Sequence, residues 1–157
     1  MFNKIVWATD GSEPADRALE FARSLAAESG GELLAVHCIE LTGPAKGGGA
    51  YPTHANEKEL EEKIERQVSD LSHDGVRASL QSAVTAVGGA AHVVSDIARD
   101  AGADVIVVGT RGRTALSGLL LGSVTHRLLH IAHCPVLAVP RPEHSDAGSG
   151  SAATEQP

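Results

Sequence analysis

Short apolar runs with no polar alternation recur along this chain, each cut off by turn-forming residues and separated by stretches of helical period. Ile5-Val6-Trp7-Ala8, Leu33-Leu34-Ala35-Val36, Val105-Ile106-Val107-Val108 and Val136-Leu137-Ala138-Val139 are the clearest. Such a run suits a strand covered on both faces, because a strand with one wet face would alternate. Between the runs, Ala15, Ala18, Leu19, Ala22, Leu25 and Ala26 fall at helical spacing, as do Leu60, Ile64, Val68 and Leu71, and then Val93, Val94, Ile97 and Ala98. Val76 to Val84 alternates loosely and reads as a more exposed strand. A last helix is expected from about Gly122 to Ala132, ended by Pro135. Strand and helix therefore alternate, which predicts an α/β fold: an open, twisted, five-stranded parallel sheet, Rossmann-like, with helices on both faces. Ligands of such sheets sit outside the carboxyl ends of strands, where the strand order reverses.

The punctuation fits one domain over residues 1–140. Ser12 can cap the first helix and Pro14 is tolerated in its first turn. Gly30-Gly31 stops that helix, and Gly88-Gly89 precedes the third. Residues 40–55, with Gly47-Gly48-Gly49, read as a mobile loop. From residue 141 to 157 the chain has almost nothing to bury, and a disordered tail is expected.

Composition narrows the function. At 157 residues the chain holds a real core but little room for a second domain, and a net charge of −7 argues against a broad nucleic-acid surface. No apolar stretch is long enough to span a bilayer, and Ile5 to Ala8 is too short for a signal-peptide core. The two cysteines, Cys38 and Cys134, have no metal-type spacing and point to a reducing cytoplasm.

After the run at 105–108 the chain reads Gly109-Thr110-Arg111-Gly112, then nine residues, then Gly122-Ser123-Val124-Thr125. Gly109 and Gly112 let the backbone approach a ligand closely. Gly122-Ser123 opens a helix whose N–H groups and dipole suit phosphate oxygens, with the Ser123 and Thr125 hydroxyls as further donors. No Gly-Lys-Ser/Thr follows, so this is not a Walker loop, and no lysine occurs after Lys63. Phosphate charge would fall to backbone N–H groups, hydroxyls, a metal ion, or Arg111, Arg113 and Arg127. The same residues would also serve as plain turns and a helix cap beside an empty site, and from spacing alone both readings stand.

Gly109-x-x-Gly112, nine residues and Gly122-Ser123 resemble the ATP-binding signature of the universal stress protein family. The likeness extends through Ile5 to Ser12, Leu34 to Cys38, Ala103 to Gly109 and His133 to Val139, in order, over about residues 2–140. It implies a strand order of 3-2-1-4-5 and a homodimer formed through the last strand, Val136 to Val139. It also implies binding of ATP or AMP, or of cyclic AMP, with Mg2+ or Mn2+ held through the phosphates. Carried over by position, Asp10 would accept the ribose hydroxyls or act near the metal, with Ala8 and Thr9 beside the adenosine. Cys38 would offer backbone hydrogen bonds to the adenine edge. Val108 and Gly109 would line base and ribose, and Gly112, Gly122, Ser123, Val124 and Thr125 would hold the phosphates. Cys38 stands where the family usually has valine, and Gly88-Gly89-Ala90-Ala91 replaces its common Gly-Asp-Pro-Ala.

Asp10 has a plainer use as a cap for the helix that follows it. His126, His130 and His133 share one helical face, opposite Leu121, Val124, Leu128 and Ile131; a solvated face explains them more simply than a zinc or nickel site. His37 reads as a hydrogen-bonded structural residue. Phosphoryl transfer needs a base and charge neutralisation, and only Asp10 offers itself. A nucleotide-dependent stress regulator is therefore the favoured function. The alternatives are a slow ATPase and a dimeric interaction module with a vestigial pocket.

Overall fold

The computed structural model describes residues 1–43, 48–112 and 121–141. In chain order the elements are β1 (Lys4–Thr9), α1 (Glu13–Ser29), β2 (Glu32–Thr42), β3 (Tyr51–Pro52), α2 (Glu57–His73), β4 (Arg77–Ala86), α3 (Ala90–Asp100), β5 (Val105–Gly109), α4 (Ser123–Ile131) and β6 (Val136–Val139). β1 lies at the centre, parallel to β2 from Lys4↔Glu32 to Thr9↔His37 and to β5 from Ile5↔Val105 to Ala8↔Val108. β4 extends the sheet parallel to β2, and β6 extends it parallel to β5. The five parallel strands thus run β4-β2-β1-β5-β6, the arrangement expected for an α/β sheet of this kind.

The sheet has a sixth strand that the sequence reading did not foresee. β3 pairs antiparallel with the end of β2, Leu41↔Pro52 and Thr42↔Tyr51. β4 occupies one edge of β2 as far as Leu41↔Ala86. β3 must therefore use the other edge, the one β1 fills only up to His37, and so it lies just past the carboxyl end of β1. Thr53 N–H donates to the Glu40 carbonyl (2.8 Å), and the Thr42 and Thr53 hydroxyls bond each other (2.8 Å). The expectation of a plain loop over 40–55 is corrected to that extent. β2 outruns its apolar stretch, and two residues that include a proline leave no periodic signal. Residues 44–47 of that segment, and residues 142–157 of the expected tail, lie outside the described residues.

The unbroken apolar runs have a direct cause, because alternate residues enter two different cores. Ile5, Trp7, Leu33, Ala35, Val105 and Val107 pack under α1 and α2 with Ala18, Ala22, Ile64 and Leu71. Val6, Ala8, Leu34, Val36, Ile106 and Val108 pack under α3 and α4 with Ala91, Val94, Ala98 and Leu128. Burying each large aliphatic side chain of this kind stabilises by roughly 1.5–3 kcal/mol. Trp7 is fully buried and its indole N–H donates to the Ala15 carbonyl (2.9 Å), which fixes the start of α1 over β1. β4 stands at a sheet edge and alternates in burial, as its looser pattern predicts. α1 ends at Gly30, whose φ of 64° needs a residue without Cβ strain and whose N–H caps the Ala26 carbonyl. Among the described residues no helix is long and apolar enough to cross a membrane.

Candidate functional site

The carboxyl ends of β1 and β5 bring the two halves of the sequence motif together. Asp10 follows β1 directly, and its Oδ1 accepts the Ser12 N–H (3.0 Å) and the Ser12 hydroxyl (2.5 Å). Thr9 is buried, and its Oγ1 accepts the Gly11 N–H (3.1 Å). This local bonding fixes the turn and aims the carboxylate. Ser12 occupies the cap position of α1, yet its side chain makes no cap bond. The expected Ser12 cap is corrected: its hydroxyl donates to Asp10 instead.

The other Asp10 oxygen, Oδ2, lies 2.6 Å from where a Cβ on Gly112 would stand. Gly112 is thus a place where only a glycine leaves the carboxylate its position. Gly122 follows closely: a Cβ there would sit 3.5 Å from the Gly112 nitrogen and from Arg111 Cα, and its N–H donates to the Thr110 carbonyl (2.6 Å). That bond ties the residue after β5 to the start of α4; residues 113–120, Arg113 included, lie outside the described residues. Thr110 N–H is in turn held by the Val139 carbonyl (2.9 Å).

Gly122 is the N-cap of α4, in extended backbone and without a side-chain cap bond. The first intrahelical bond runs from His126 N–H to the Gly122 carbonyl (2.9 Å). The N–H groups of Ser123, Val124 and Thr125 precede it and point out of the helix start, which is where an anion is stabilised. Chemically, the arrangement sets an acceptor-only carboxylate beside the backbone donors of a helix terminus. A ligand with hydroxyls at one end and negative charge at the other would use both.

Other motif residues are placed differently from the expectation. Thr125 is buried, and its hydroxyl donates to the Gly109 carbonyl (2.7 Å). Its proton is therefore committed to tying α4 to β5, which removes the hydroxyl from the donors expected of this residue. Gly109 packs against the main chain of α1: a Cβ there would lie 2.7 Å from the Pro14 carbonyl oxygen. Ala8 and Val108 face each other in register, and their side chains belong to the core under α3 and α4. Val124 is half-buried against that same core, while Ser123 is exposed.

Cys38 is half-buried, with Sγ 3.8 Å from the Ala90 carbonyl, and burial, aided by the Glu40 carboxylate, pushes its thiol up to about 11. Its backbone falls between the last β1 pair, at His37, and Glu40, where β3 takes over the same edge of β2. His126 and His130 are exposed and meet edge to face with ring centroids 4.9 Å apart. His133 lies past the end of α4, which corrects the expected three-histidine face: the helix stops at Ile131 and its cap, Ala132, is extended.

Beneath the Asp10 turn lies His37, hydrogen-bonded as its sequence position predicts, with a partner, Glu57, that was not expected. His37 is fully buried; its Nδ1 donates to the Thr9 carbonyl (3.0 Å) and its Nε2 meets Glu57 Oε1 at the start of α2. Lys63 Nζ donates to the Gly11 carbonyl (2.9 Å) and pairs with Asp16. The only available signal was the position of Glu57 at a helix start, which usually means a solvated first-turn acid.

Residues 1–140 match the universal stress protein family. Universal stress protein YxiE of Bacillus subtilis is 35% identical over 88% of this chain and 99% of its own length. The structure of a universal stress protein from Archaeoglobus fulgidus superposes with a TM-score of 0.67 at 27% identity, over 88% of this chain and 98% of that one. Another Archaeoglobus fulgidus structure of the family, in complex with dAMP, covers 88% of this chain and 98% of its own at a TM-score of 0.63 and 23% identity, a likeness of fold.

Proposed function

The chain belongs to the universal stress protein family, and from that premise we propose that it binds an adenine nucleotide, ATP or AMP, at the carboxyl ends of β1 and β5. The observation that carries this reading is the meeting of Asp10, Gly112 and the start of α4, with Gly112 leaving no room for a side chain beside Asp10 Oδ2. In this reading Asp10 accepts the ribose hydroxyls. The N–H groups of Ser123, Val124 and Thr125, with Gly112 and Gly122 beside them, take the phosphates, and Arg111 adds charge. The β1-facing backbone of Cys38, between β1 and β3, offers the adenine edge its hydrogen bonds. Ala8, Thr9, Val108 and Gly109 form the floor through their backbone.

Mg2+ or Mn2+, when bound, would neutralise phosphate charge, and Asp10 is the acid of this site that could help hold it. Among the described residues no group of three His, Cys, Asp or Glu side chains stands ready as a metal cage, so the ion would be held mainly through the phosphates. We read the protein as a cytoplasmic regulator whose bound nucleotide stiffens the surrounding loops and changes what a partner meets, rather than as an efficient enzyme. Among the described residues β6 pairs with β5 alone, and it bears a partly exposed Leu137, which supports pairing of two copies along that edge.

Mass spectrometry of nucleotide released from the denatured protein, followed by titration of ATP, AMP and cyclic AMP with and without Mg2+, tests the reading. Gly122→Asp sets a carboxylate at the helix start and is expected to abolish binding. If that variant binds as tightly as the parent, the phosphates do not lie there.

A further inference from the structure

The turn that carries Asp10 is gripped from one side by the first half of α2. Leu60 packs on Gly11 so closely that a Cβ there would meet its Cδ2 at 2.7 Å. Lys63 reaches the Gly11 carbonyl, and Glu57 reaches the Thr9 carbonyl through His37. His37 is 0% and Glu57 5% exposed. A carbonyl can only accept, so Nδ1 of His37 carries a proton and the contact between Nε2 and Glu57 shares the other one. Desolvating two ionisable groups is costly, and an apolar pair of the same volume would fill the space without that cost. What the pair supplies is a fixed geometry one residue before Asp10.

We propose that His37 and Glu57, seconded by Lys63, are positioning residues of the ligand site: they hold the Thr9–Ser12 turn so that the Asp10 carboxylate faces Gly112. This rests on the nucleotide-binding reading above. It makes ligand affinity depend on a buried contact that never touches ligand.

The test compares Glu57→Ala, Glu57→Gln, Lys63→Met and Leu71→Ala. Leu71 is buried on the same helix, fourteen residues and about 21 Å further along. Titration with ATP and AMP, well below each variant's Tm, is expected to show Kd raised about tenfold or more in Glu57→Ala and about threefold or more in Lys63→Met. Leu71→Ala, although destabilised, should stay within about twofold of the parent. Glu57→Gln should bind nearly as the parent does, because its amide donates to Nε2 while Nδ1 keeps the Thr9 carbonyl. The proposal is overturned if Glu57→Ala binds like the parent, or if Leu71→Ala weakens binding as much. Should Glu57→Ala fail to fold, Lys63→Met, whose side chain is partly exposed, carries the same comparison.

If the parent itself shows no saturable binding of ATP, AMP or cyclic AMP, the nucleotide reading falls while the positioning claim is still decided. Amide NMR signals of Asp10, Gly11 and Ser12 must then move in Glu57→Ala and Lys63→Met but not in Leu71→Ala. Unmoved signals overturn it.

Discussion

Gly109 and Gly112 stand three residues apart in one motif, yet alanine at each is expected to fail for a different reason. At Gly109 the added Cβ would lie 2.7 Å from the Pro14 carbonyl oxygen and 2.8 Å from the carbonyl carbon. The obstacle is main chain, so the first turn of α1 must retreat by roughly 0.7 Å to restore ordinary contact. That retreat pulls on Ala15, whose carbonyl holds the buried Trp7 indole. Overpacking of this kind costs about 1–3 kcal/mol. For a chain of this size the fall in Tm is then roughly 2–12 °C. At Gly112 the obstacle is the Asp10 carboxylate, a side chain that can turn aside by giving up its bonds from Ser12. The stability cost there is nearer about 1 kcal/mol, while nucleotide affinity should fall about tenfold or more, equivalent to ~1.4 kcal/mol. Urea unfolding without nucleotide, read as the midpoint at constant m-value, measures the first effect, and calorimetric titration of ATP measures the second. A Gly109→Ala protein as stable as the parent, or a Gly112→Ala protein of undiminished affinity, would refute the assignment of one glycine to packing and the other to the site.

Two further outcomes follow from titratable groups. The Cys38 thiol, pushed up to about 11 by burial, should react slowly with a thiol reagent near neutral pH in the folded protein; a rate matching the unfolded chain would contradict its packing against α3. Asp104 is held below the ordinary carboxylate range by the backbone N–H groups of Lys4 and then Asn3, at 2.9 and 2.6 Å. Its stabilisation is therefore present above its unfolded pKa, near about 4, and is lost as pH falls through the lower folded value. Asp104→Asn should flatten the acid side of the stability curve, and an unchanged slope between about pH 4 and pH 2 would count against the bond.

Much of this architecture was legible before any coordinates. Continuous runs such as Val105 to Val108 announce strands with two covered faces, and the stripe of Leu60, Ile64, Val68 and Leu71 announces a helix on a core. Both signals come from short-range periodicity, which a linear sequence records faithfully. β3 left no such signal, since its two residues are strand only because β2 runs on past the end of β1 and offers them an edge.

The chain's one-dimensional pattern determined the layers and helix ends at glycine such as Gly30. Only the tertiary structure decided how the motif residues divide their labour. Gly109 faces Pro14, Thr125 is tied to Gly109, and Gly112 abuts Asp10. It also set Glu57 beneath the Asp10 turn, against His37. The reason is physical: periodicity reports which face of an element is apolar, whereas the destination of a hydroxyl proton or a carboxylate oxygen depends on neighbours tens of residues away in the chain.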